Sequence, residues 1–236
     1  MKIAIVGAGG LGSYIGGRLM LSGHDVTFIS QGKQLDALHA SGLKIESHLG
    51  NAHIKRVRAT DNCMAVGQVH LIILCVELCN SISTIEQISP MVAPHTTIFS
   101  IQNNIDHFHI LDHLFNKYHT KSTPGTLAAS LKTQYREGHL SILGGVTIID
   151  AQLLTPNHVR GYHPRNSIFF GNLGSTLSSE CLIIAELFKF CGLDCQLVPD
   201  IFTKMSAYKN AMVARPKGVH SQTFTVQTSL NVFEYL

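Results

Sequence analysis

Apolar residues in this chain come in short blocks separated by helical stretches. Ile3-Ala4-Ile5-Val6 is apolar at every position, as expected of a strand covered on both faces. It opens into Gly7-Ala8-Gly9-Gly10-Leu11-Gly12, then a helical pattern, and after Gly23-His24-Asp25 the chain returns to an apolar run ending at Ile29. This reads as strand, glycine turn, helix, strand. The alternation continues with strands expected over 69–76 and 97–101 and helices over 81–91 and 105–118. Further strands are expected at 126–130, 139–143, 146–149 and 167–170, then a helix over 178–191 stopped by Gly192 and a last strand over 193–198. Strands alternating with helices predict an α/β fold with a doubly wound, mostly parallel sheet.

At Pro199-Asp200 the pattern changes. Ile201, Met205, Tyr208 and Met212 share one face of a predicted helix, which Arg215-Pro216 ends. Residues 1–198 are therefore read as one domain and 199–236 as the start of a second, helical one. The apolar helix face needs a partner, so self-association, as a homo-oligomer, is expected.

The glycine turn carries the chemistry. G-x-G-x-x-G alone is weak, but between a strand and a helix it is a Rossmann-like dinucleotide fingerprint. Gly7 permits the tight turn, Gly9 lets bare backbone approach a pyrophosphate, and Gly12 lets the helix press against the sheet. The helix N-terminus then offers unpaired N–H groups to the anion, so Gly7, Ala8, Gly9, Gly10, Leu11 and Gly12 are assigned to coenzyme binding. Coenzyme choice is read at the end of the second strand, where a carboxylate would hold a ribose 2′-OH and repel a 2′-phosphate. This chain has Ser30-Gln31-Gly32-Lys33 there, which favours NADP(H) over NAD(H), with Ser30, Gln31 and Lys33 as contacts.

Composition narrows the picture. With 45% hydrophobic residues the chain can bury a core, whereas 14% charged residues and a net charge of +3 show no basic stripe interleaved with aromatics, so nucleic acid is not an expected partner. The longest apolar run, 71–76, is too short to cross a bilayer, and no signal-peptide pattern opens the chain, so a cytoplasmic protein is expected. The six cysteines lack C-x-x-C or zinc spacing and read as reduced core thiols. His109 and His113, with Asp106 nearby, could hold a metal but read more simply as a polar helix face, and none is expected.

The opening thirty residues, the segments IILCVELCN and FSIQNNID, and the helix after CGLDCQLVPDI together resemble the ketopantoate reductase (2-dehydropantoate 2-reductase) family, NADPH enzymes of the pantothenate pathway. The resemblance spans residues 1 to 214. It implies that Asn103 contacts coenzyme and substrate, and that Lys209 is the catalytic lysine and a substrate contact. An ammonium there can stabilise the oxyanion formed by hydride delivery to a ketone and donate its proton. The implied substrate is a small 2-oxo acid, ketopantoate by resemblance.

Departures from the family pattern are specific. Gln31 stands where the family usually has Arg, and Val213 where it has Asn. Glu77 replaces a Lys near the substrate carboxylate, where two negative charges about 4 Å apart repel by roughly 4 kcal/mol at an effective dielectric of about 20. No segment over 217–236 matches the family's helical C-terminal domain, so a truncated homologue is expected. Two other readings stay open: an NADP(H)-binding module without turnover, and a related dehydrogenase acting on a different oxo or imino acid.

Overall fold

The computed structural model describes residues 1–76, 87–101, 138–162, 167–172, 176–201 and 203–204. Its first strand, β1 (Lys2–Val6), turns into α1 (Gly10–Leu21), followed by β2 (Asp25–Ile29) and α2 (Gly32–Ser41). Three short strands follow, β3 (Leu43–Glu46), β4 (Ala52–Ile54) and β5 (Arg58–Thr60), then β6 (Leu71–Leu74) and β7 (Thr96–Ile101). The remaining strands are β8 (Leu140–Thr147), β9 (Ala151–Thr155), β10 (His158–Gly161) and β11 (Ser167–Asn172). Last come α3 (Ser179–Phe190), which Ser178 caps by accepting from the Cys181 N–H, and β12 (Asp194–Leu197).

The main sheet runs in the order β12-β11-β8-β7-β6-β1-β2-β5. From β5 to β8 every neighbouring pair is parallel, while β11 is antiparallel to β8. In chain order the parallel strands read 3-2-1-4-5-6, the doubly wound Rossmann arrangement whose direction of winding reverses between β1 and β6. The fold expected from the sequence is therefore present: an α/β domain on a mostly parallel sheet.

Alternation within the apolar strands explains the two-sided core. Ile3, Ile5, Leu71, Ile73 and Phe99 join the cluster beneath α1 and α3, whereas Ala4, Val6, Ile72, Leu74 and Ile98 join a second cluster on the opposite face. Phe99, Phe170 and Phe188 form an aromatic knot under α3, with centroids 4.9 to 6.0 Å apart. The strand predicted over 69–76 is confirmed over Leu71–Leu74, fully buried.

Two features differ from the pattern reading. Gly144-Gly145, taken as a break between two strands, lies inside the single strand β8, paired to both β7 and β11. A side chain at Gly145 would press on Phe99 and Phe170, so glycine there makes room for the aromatic rings. The second difference is a small four-stranded sheet, β4-β3-β10-β9, which the pattern did not reveal. It covers the outer side of α1: Gly17 packs against Leu43 and Ile45, while Gly16 packs against Ile5 and Phe28 of the main sheet. The helix is thus clasped between two sheets. The predicted elements at 105–118 and 126–130, and most of 81–91, lie outside the described residues, as do residues 205–236.

Candidate functional site

The carboxyl ends of β1 and β2 and the connection after β6 converge on the glycine turn. The Gly7 N–H donates to the Ile29 carbonyl at 3.0 Å and the Cys75 N–H donates to the Val6 carbonyl at 2.8 Å, so the turn leaves the sheet at the point where the winding reverses. Gly7 has φ of +95°, a left-handed conformation that favours glycine. At Gly12 a Cβ would strike the Gly7 carbonyl oxygen, so the first turn of the helix lies directly on the loop that precedes it.

Helix α1 starts without a side-chain cap and without an acidic residue in its first turn. Its opening N–H groups, Gly10 to Gly12, precede the i to i−4 ladder and carry the positive end of the helix dipole. A Cβ on Gly9 would meet nothing within 4 Å among the described residues, which leaves bare backbone exposed on the turn. These are the requirements of a pyrophosphate seat, and the residues present fit one. Gly10 has a second task, because its other side rests against the Ala151 backbone of the small sheet.

Two polar side chains that the motif alone does not point to secure this turn. Ser13, fully buried, donates from Oγ to the Ala8 carbonyl at 2.6 Å, and Gln34 Nε2 donates to the same oxygen. Ser30 Oγ in turn donates to Gln34 Oε1 at 3.4 Å. Ala8 therefore serves as an anchored floor of the turn, and Gln34, on α2, ties the turn to the end of β2. Ser13 could have been found as the polar residue just after the last glycine. Gln34 carries no sequence signal, because its partner lies in the preceding strand–turn unit.

At the tip of β2, Ser30 is buried, whereas Gln31 and Lys33 are exposed. Gln31 is the N-cap of α2, whose first turn carries no acidic residue. The stretch after β2 is thus a helix start beside the glycine turn, with an exposed amide and ammonium on it. Beneath the turn sits Cys75, half-buried and packed against the core, whose thiol is pushed up to about 12 by burial, which opposes the nucleophilic thiolate form. The other described cysteines are free thiols, as expected. Among the described residues no group of three or more His, Cys, Asp or Glu could hold a metal, and no helix is long and apolar enough to cross a membrane. Asn103, Lys209, Glu77, Val213, His109 and His113 lie outside the described residues.

With this geometry in place, comparison with known proteins decides the family. The family model described as "Ketopantoate reductase PanE/ApbA" matches residues 3–175, from β1 through the glycine turn and beyond β11. The chain belongs to this family. Among curated members of similar sequence, the 2-dehydropantoate 2-reductase of Archaeoglobus fulgidus is 28% identical over 200 residues, covering 85% of this chain and 57% of that protein. An uncharacterized oxidoreductase, YkpB of Bacillus subtilis, is 33% identical over 117 residues, covering 50% of this chain and 38% of that protein. The chain thus spans between about a third and three-fifths of the length of the curated relatives it matches. Among solved structures, 2-dehydropantoate 2-reductase from Geobacter metallireducens shares the fold with a TM-score of 0.73 at 24% identity, covering 90% of this chain and 62% of that one. D-mandelate dehydrogenase, solved with NADH and anilino(oxo)acetate, shares it with a TM-score of 0.69 at 22% identity, covering 90% and 61%.

Proposed function

We propose that this chain binds NADP(H) across the turn Gly7 to Gly12 and the tip of β2, and that it serves the reduction of a small 2-oxo acid, 2-dehydropantoate to pantoate. The single observation that carries the reading is the open glycine turn at the switch point of the sheet, next to a β2 tip without a carboxylate. The first-turn amides of α1 would hold the pyrophosphate, and Gln31, Lys33 and the start of α2 would hold the 2′-phosphate. The coenzyme supplies hydride. The chain's own part is to orient the carbonyl through Asn103 and to deliver a proton to its oxygen from Lys209, whose positive charge also stabilises the developing oxyanion. Pantothenate synthesis in the cytoplasm, by a self-associated chain, completes the proposal.

The test follows NADPH absorbance with 2-dehydropantoate and a panel of 2-oxo acids. The reading expects oxidation with 2-dehydropantoate, a loss of at least about a hundredfold in Lys209→Ala, and a preference for NADPH over NADH that shrinks about tenfold in Lys33→Ala. Turnover unchanged in Lys209→Ala would remove the assigned acid. Glu77 favours a second reading, coenzyme binding without turnover, because a carboxylate beside a 2-oxo acid opposes its binding. NADPH binding with no oxidation of any oxo acid would select that reading.

A further inference from the structure

At the opposite end of the sheet from the glycine turn, where β2 and β5 begin, the surface sinks into a cavity of about 880 Å³. It lies about 13 Å along β2 from the coenzyme end of that strand. Its walls bring together Lys55, Arg56 and Arg58 from the β4–β5 connection and the start of β5, His24 from the turn before β2, and His39 from α2. Among the described residues Asp25 is the one carboxylate in the lining, and it already pairs with Arg58 at 2.5 Å. Lys55 and Arg56 form no ion pair with any described residue. His24 Nε2 is shielded from water and has no hydrogen-bond partner, so it lies behind the cavity wall while the exposed charges on it come from Lys55, Arg56 and Arg58.

Unpaired cations around a concavity concentrate a positive field, and guanidinium groups match phosphate oxygens two at a time. The size suits a single small molecule. Among the described residues no Phe, Tyr or Trp lines the cavity, and single-stranded nucleic acid binding leans mainly on such rings for base stacking. We infer that this cavity is a second ligand site, separate from the coenzyme seat, which takes a small polyanion carrying a chain of phosphates.

The test is a titration of the full chain with inorganic tripolyphosphate, followed by amide NMR shifts and calorimetry. The inference expects saturable binding at or below millimolar concentration, weakened by salt, with shifts at residues 23–26, 39 and 55–58 that are distinct from any at 7–12. Lys55→Glu with Arg56→Glu should weaken the binding at these residues at least about tenfold while the NADPH titration and the thermal midpoint stay unchanged. ATP in place of tripolyphosphate separates the sources: tighter binding identifies a nucleotide, and equal binding identifies the phosphate chain alone. Shifts confined to 7–12, no saturation, or binding that survives the double reversal would overturn the inference. So would shifts at these residues with an oligonucleotide but not with tripolyphosphate. Because the shifts are read residue by residue, failure here and failure of the coenzyme reading are distinguishable.

Discussion

Gly7 and Cys75 touch each other beneath the turn, and each makes a separate prediction. Gly7→Ala forces an alanine into φ of +95° and drives its Cβ into Val76, so it should cost about 1–3 kcal/mol, read as a lower urea midpoint. Cys75, held up to about 12 by burial, should stay unlabelled by iodoacetamide in the folded protein near pH 8 and react once urea unfolds it. Labelling of native Cys75 at the rate of an exposed thiol would contradict the packing described here. The glycine spacing made most of this site legible, because each glycine answers a local steric demand of a turn between strand and helix. Gln34 was not legible, since a single long-range bond to the Ala8 carbonyl leaves no periodic trace in the sequence.

Among the elements, those of the main sheet announce themselves through unbroken apolar runs such as 71–74, buried on both faces. The small sheet does not. Its strands are short, their side chains alternate between buried and partly exposed positions, and its parallel pairing joins Glu46 to Arg160, 114 residues apart in sequence. On the outer face of that pairing, Glu46 sits 2.5 Å from Arg160 and 2.9 Å from His158. Hydrogen bonding from Arg160 holds the Glu46 carboxyl below its ordinary range. A lowered carboxylate stabilises the fold above its unfolded pKa, about 4.3, and that contribution disappears as pH falls through the lowered folded value. Glu46→Gln should therefore lower the urea midpoint slightly near neutral pH and leave it unchanged near pH 3. A difference that persists in acid would show that the ion pairs are not its source.

Viewed as a whole molecule, the chain places the glycine turn, proposed as its coenzyme seat, at one end of the sheet and a cationic cavity at the other. The winding order was predictable in kind from alternating helices and strands, whereas the antiparallel turn-back at β11 and the clasp of α1 between two sheets depend on contacts between distant segments. The central claim rests on bare backbone at Gly9, where a methyl group would meet no atom of the described residues and would instead stand in the way of a ligand on the turn. Calorimetric titration of NADPH into the parent chain and into Gly9→Ala tests it most directly. The account predicts saturable binding by the parent, an unfolding free energy for Gly9→Ala within about 0.5 kcal/mol of the parent's, and coenzyme affinity at least about tenfold weaker in the variant. Absence of binding by the parent, or equal affinity in both proteins, would contradict it.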